Sequence, residues 1–150
     1  MPLQAVRTGV NLNYEVSGEG EPLLLVMGTS GNIGLWAGLV ERLADRYRVI
    51  AFDNRGLGGS ERGTGPISVA SMAEDTAALL EALDVPKAHI VGWSLGSAVA
   101  QELALAHPER LASAVMYATW ARCNGFQRSI LSALRLPYVI RDMDAALATS

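Results

Sequence analysis

The chain has little sulfur and little imidazole: one cysteine, Cys123, and two histidines among 150 residues. A single cysteine excludes an internal disulfide framework, and these three residues leave no zinc quartet, so no metal and no cofactor is expected. A reducing compartment follows. Charge is also sparse, with 12 Lys+Arg, 15 Asp+Glu and a formal net charge of -3, and the basic residues are scattered. Nucleic acid and anionic membranes are therefore not expected partners. Met1 to Arg7 lacks the basic start and apolar stretch of a signal peptide, and no apolar run reaches transmembrane length. The expectation is a soluble, cytoplasmic protein. What the chain does have is apolar content, 50% of its residues, which is enough for a substantial globular core.

Gln4 to Thr8 and Asn11 to Val16 alternate polar and apolar residues around Gly9, the pattern of a half-exposed hairpin. Leu23 to Met27 is a continuous apolar run, as expected of a strand buried on both faces. After the small-residue loop Gly28 to Asn32, the spacing of Trp36, Leu39, Val40 and Leu43 predicts one face of a helix. The alternation then repeats. Arg48 to Phe52 is a second buried strand, followed by a glycine-rich loop from Asp53 to Gly65. A helix comes next, with Met72, Thr76, Leu79, Leu80 and Leu83 on one face and a capping box from Ser71 to Glu74. Val85-Pro86 stops it. A strand from Ala88 to Val91, a helix from Leu95 to about Ala106 ended by His107-Pro108, and a strand from Ala112 to Ala118 complete the series. Strands alternating with helices predict an α/β fold: a mostly parallel sheet, covered on both faces, with an antiparallel hairpin at its N-terminal side.

From Arg122 the texture changes. Phe126, Ile130, Leu131, Leu134 and Leu136 read as amphipathic, Pro137 interrupts them, and a helical pattern runs on through Met143. Residues 1–121 are thus expected to form a core, and 122–150 the start of a helical cap.

Between the strand at Ala88 and the helix at Leu95 lies Gly92-Trp93-Ser94-Leu95-Gly96. A serine on a tight strand-to-helix turn is exposed by its backbone, and the following helix presents N–H groups to an oxyanion. Ser94 is accordingly the candidate nucleophile, with Leu95 N–H as one oxyanion donor. The competing reading is that Ser94 merely caps the helix. A second donor is expected from the loop after Leu23 to Met27, with Thr29 the candidate; alternatively, Gly28 to Asn32 only caps the next helix. Trp93, beside the nucleophile, and Gly28 are candidate walls of a substrate pocket. Trp36 and Trp120 read more readily as core.

Leu23-Leu24-Leu25-Val26-Met27-Gly28, then Asp53-Asn54-Arg55-Gly56-Leu57-Gly58-Gly59-Ser60, then Gly92-Trp93-Ser94-Leu95-Gly96, in this order and at these separations, resemble the α/β-hydrolase superfamily. Within it the chain is similar to small esterases, enol-lactonases and cofactor-free haloperoxidase-like enzymes. In that family the first loop usually opens with His-Gly. Here Met27 stands in place of the histidine, Gly28 is kept, and Thr29 falls where the family supplies its second oxyanion N–H. The resemblance gives Asp53 and Arg55 a structural task in organising neighbouring turns. Ser97 stands where relatives often have glycine, and its side chain is expected to restrict the packing behind Ser94.

By the same resemblance, an acid and a histidine follow the nucleophile on later strands. His89 lies within the strand leading to Ser94, and His107, at the far end of the next helix, is about 20 Å away by helix rise, so neither is the base. Asp142 and Asp144 fall in the cap-like region, while Asp75, Asp84 and Glu102 read as solvated helix faces. Ala112 to Ala118 would be an unprotected apolar edge. The chain is therefore expected to be the N-terminal part of an incomplete α/β-hydrolase fold. A C-terminal fragment or second chain would supply the missing triad members, and the enzyme would act on a small-molecule ester, lactone or similar carbonyl compound. The same apparatus also suits acyl transfer, perhydrolysis or carbon-carbon bond hydrolysis, and a noncatalytic binding module has the same fold.

Overall fold

A computed structural model describes residues 2–130. The chain divides into two units, Met1–Thr119 and a second one beginning at Trp120.

The first unit opens with an antiparallel hairpin of β1 (Leu3–Val6) and β2 (Val10–Ser17). β1 ends earlier than the polar alternation predicts. Arg7, Thr8 and Gly9 form the turn, closed by Gly9 N–H donating to the Val6 carbonyl at 2.9 Å, with Gly9 at φ +77°. β3 (Glu21–Val26) follows, then a 3-10 turn at Ile33–Trp36 that runs directly into α1 (Ala37–Leu43). Trp36 and Val40 point into the core, whereas Leu39 is exposed, contrary to the predicted face. The tighter 3-10 start rotates the later residues relative to a uniform helix.

β4 (Tyr47–Phe52), α2 (Val69–Ala82), β5 (Ala88–Trp93), α3 (Leu95–Ala106) and β6 (Leu111–Tyr117) complete the unit. The start of α2 also differs from expectation. Ser68, not Ser71, is the N-cap: its hydroxyl accepts from Ser71 N–H at 3.1 Å, and Ser71 Oγ accepts from Ser68 N–H at 3.0 Å. This reciprocal box uses a serine where the usual pattern has Glu or Gln.

The sheet order is β1-β2-β4-β3-β5-β6, with β2 antiparallel to β4 and the remaining three pairings parallel. β3 is central, and its alternate residues serve opposite layers. Leu24 and Val26 join Ile50, Phe52 and Ile90 beneath α2 and α3, while Leu23 and Leu25 join Val49 and Ala51 beneath Trp36 and Val40. Two covered faces explain the continuous apolar run.

Register aligns the strand ends. Val26 pairs with Phe52 and with Gly92, so the loops after β3, β4 and β5 emerge together at the carboxyl edge of the sheet, where parallel α/β sheets bind ligands. At the side, β6 is the last strand among the described residues, with Val115 and Tyr117 exposed.

Asp75 also departs from expectation. It reads as a solvated helix position but is 1% exposed, accepting from Arg55 Nε and Nη2, each at 2.5 Å, and from the Thr8 hydroxyl at 2.5 Å. The pair raises the Arg55 pKa, chiefly through hydrogen bonding to Asp75. It also ties α2 to the loop after β4 and to the first hairpin. Glu74, one residue earlier, binds His107 Nε2 at 2.7 Å and Arg7 at 3.1 Å.

In the second unit, Asn124 caps a helical turn at 125–130, exchanging hydrogen bonds with Gln127 at 2.9 and 3.0 Å. Phe126 and Ile130 are exposed and Trp120 is half-buried. Leu131, Leu134, Leu136, Pro137, Asp142, Met143 and Asp144 lie outside the described residues. No helix among the described residues is long and apolar enough to cross a membrane.

Candidate active site

Ser94 joins β5 to α3 with φ 54° and ψ -116°, a conformation that costs a non-glycine residue about 1–3 kcal/mol. Its N–H donates to the Tyr117 carbonyl at 2.9 Å, and its carbonyl accepts from Ser97 N–H at 2.9 Å. The backbone is thus held on both sides of the turn. The half-buried side chain makes no capping hydrogen bond to α3, so the reading of Ser94 as a helix cap does not hold.

The two glycines of the motif have separate steric reasons. A Cβ on Gly92 would lie 2.5 Å from the Gly96 carbonyl oxygen and 2.7 Å from Ser97 Cα, where the helix folds back over the strand. A Cβ on Gly96 would overlap the Val26 carbonyl oxygen and stand 2.9 Å from that of Met27. Gly92 therefore permits the sharp turn, and Gly96 permits α3 to lie directly on the end of β3. Ser97 fits this crowded corner by bonding: it is fully buried, and its hydroxyl bridges the carbonyls of Gly92 at 2.6 Å and Tyr117 at 2.8 Å.

The loop after β3 approaches from the other side. A Cβ on Gly28 would lie 2.9 Å from the Trp93 carbonyl oxygen and 3.1 Å from Ser94 Cβ, so only glycine brings this backbone against the nucleophile. Thr29 follows and is exposed. The Gly28 carbonyl accepts from Gly31 N–H at 3.3 Å, and a planar trans peptide aims Thr29 N–H the opposite way. Asn32, not Thr29, caps the next turn, accepting from Gly34 N–H at 2.9 Å. Leu95 is the first residue of α3, where N–H groups have no acceptor within the helix and the helix dipole favours negative charge.

Trp93 is 39% exposed, with the buried Trp36 ring against it edge-on at 6.2 Å between centroids. Both histidines are engaged away from Ser94. His89 Nδ1 contacts Ser113 Oγ at 2.8 Å and its Nε2 contacts Glu21 at 3.3 Å, whereas His107 caps the C-terminus of α3 beside Glu74.

Behind the loop stand Asp53, which organises neighbouring turns as the resemblance implies, and Asn54, to which neither spacing nor resemblance gives a task. Asp53, 2% exposed, accepts from Ile33 N–H at 2.8 Å, Gly59 N–H at 2.8 Å and Asn13 Nδ2 at 2.7 Å. A cavity of about 400 Å³ beside it is lined by Asn13, Asn32, Ile33, Gly34, Asp53, Gly58 and Gly59, so Ser94 is not among its walls. Asn54, 1% exposed, donates from Nδ2 to the Met27 carbonyl at 2.9 Å. Three donors converging on one carboxylate are a structural joint rather than a free acid.

A family model described as alpha/beta hydrolase fold matches residues 21–142. The chain is 44% identical over 118 residues to the "Putative carbamate hydrolase RutD" of Azorhizobium caulinodans, covering 79% of this chain and 44% of that protein. Among solved structures, a thermophilic esterase from Thermogutta terrifontis is similar at TM-score 0.77 and 33% identity, over 83% of this chain and 47% of that one. The enol-lactonase of Burkholderia xenovorans LB400 is similar at TM-score 0.73 and 28% identity, over 77% and 45%. The chain spans less than half the length of each of these three proteins.

Proposed function

Because the chain belongs to the α/β hydrolase fold family, we propose that it carries the nucleophilic half of a serine hydrolase acting on an ester, lactone or similar small carbonyl substrate. The observation that carries this reading is Ser94 itself: a non-glycine residue held at φ 54° with its hydroxyl left out of the helix cap. Strain of this kind persists where the surroundings over-determine it, and it accumulates at reacting groups. Ser94 Oγ attacks the carbonyl carbon, and its proton passes to a histidine base. The N–H groups of Leu95 and Thr29 hold the oxyanion. Collapse breaks the bond to the leaving oxygen, which takes the proton from the histidine, and water then releases the acyl group by the same steps in reverse. Trp93 and Gly28 flank the acyl group.

The base and acid come from residues outside those described here, on a C-terminal fragment or second chain that adds strands beside β6. Two features support this: both described histidines have other partners, and relatives extend well beyond the matched region. The single Cys123 supports a cytoplasmic setting. The same two histidines favour, as the second reading, a hydrolase-like binding module without catalysis.

Fluorophosphonate labelling of the natural assembly separates the two readings. Modification of Ser94, lost in Ser94→Ala, is expected; an unlabelled Ser94 in an intact assembly refutes the catalytic reading.

A further inference from the structure

Two adjacent side chains on the loop after β4 grip both ends of the segment that carries Thr29. Asn54 Nδ2 binds the Met27 carbonyl at 2.9 Å, just before Gly28, and Asp53 Oδ1 accepts Ile33 N–H at 2.8 Å, just after Asn32. We propose that Asn54, backed by Asp53, is a positioning residue for the reaction, setting where Thr29 N–H stands relative to Ser94. The inference rests on the serine hydrolase reading above.

The Met27 carbonyl lies past the last residue of β3 and needs a partner from outside the strand. Asn54 supplies it and so fixes the plane of the Met27–Gly28 peptide. Gly96 packs beside the same oxygen only because it lacks a Cβ, which would stand 2.9 Å from it. One peptide further on, Gly28 lies against Ser94, so a rotation at Met27 is transmitted to Thr29 N–H at the nucleophile.

Asn54 is also expensive to keep. Its Oδ1 is buried without a hydrogen-bond partner among the described residues, so its desolvation is not offset. A leucine of similar size would avoid that penalty, although it would leave the Met27 carbonyl unpaired. Retaining the amide is therefore explained by the orientation of its donor half, and functional sites are where such local losses are tolerated.

The test uses the intact natural assembly, p-nitrophenyl butyrate as substrate and fluorophosphonate as label. Asn54→Leu removes the donor at nearly constant volume, and kcat is expected to fall about 10- to 100-fold with KM within about twofold, since the donor matters most in the transition state. Asn54→Asp retains the shape and donates to Met27 only when protonated. Its kcat relative to wild type is therefore expected to recover as pH falls, and this comparison stands even if Asn54→Leu does not fold. Wild-type kcat in Asn54→Leu, or a pH-independent deficit in Asn54→Asp, overturns the positioning role while leaving Ser94 labelled and its own reading intact. Absence of label on wild-type Ser94 removes the hydrolase reading and this inference with it.

Discussion

Replacing Ser94 by glycine tests whether the nucleophile's backbone stores strain. At φ 54° and ψ -116° a side chain costs about 1–3 kcal/mol, which glycine does not incur. Glycine in turn loses about 0.5–1 kcal/mol through the greater freedom of the unfolded chain. Taking the middle of each range, Ser94→Gly is more stable by about 1.25 kcal/mol. Ser94→Ala is the control, because it deletes the hydroxyl but keeps the Cβ. Since that hydroxyl makes no capping bond, Ser94→Ala is expected within about 0.5 kcal/mol of wild type. The assay is equilibrium urea unfolding of all three proteins. With a slope of about 2 kcal/mol per molar, the Ser94→Gly midpoint rises by about 0.6 M over that of Ser94→Ala. Both variants lose fluorophosphonate labelling. Equal midpoints, or a lower one for Ser94→Gly, would refute the claim that the turn is strained by its side chain.

Gly96→Ala pushes a Cβ into the Val26 carbonyl oxygen and is expected to cost about 1–3 kcal/mol by urea unfolding, with slower labelling of Ser94 as α3 shifts from β3. Arg55→Met strands the buried Asp75 carboxylate and is expected to cost about 3–5 kcal/mol. The double variant with Asp75→Leu recovers part of this, and a double-mutant cycle without coupling would count against the pair. Glu74 has its pKa lowered, chiefly by the hydrogen bond from His107, with burial opposing and Arg7 assisting. A carboxylate with a depressed folded-state value contributes stability above its unfolded pKa, near 4.5, and loses it as pH falls through the folded value. Glu74→Gln is therefore expected to flatten the stability profile below about pH 4.5, as measured by denaturation at a series of pH values, with the sign reversed if His107 and Arg7 do not favour the charged form.

Long apolar runs and glycines survived the passage from sequence to structure best. Leu23 to Val26 is apolar at every place because both faces of β3 are covered, and Gly92 and Gly96 flank Ser94 because backbones cross there. Such constraints act on a residue's own size and period, so they remain visible in one dimension. Asp75 was misread for the opposite reason. A lone acid on a helix looks the same whether it meets water or an arginine 20 residues away, and only folding brings Arg55 and Thr8 to it. Leu39 and Ser68 depended on where a helix begins, which the identity of the cap decides by a residue or two.

By itself, then, the sequence determined the alternating α/β order, the serine turn and the glycines that make it possible, since periodicity and steric size belong to each residue in its own segment. Tertiary structure alone decided which groups Asp53 and Asn54 hold on the loop beside Ser94 and that Ser97 bonds across the corner behind it. Hydrogen bonds between residues distant in the chain depend on strand register and on a few tenths of an ångström, and composition and spacing carry neither.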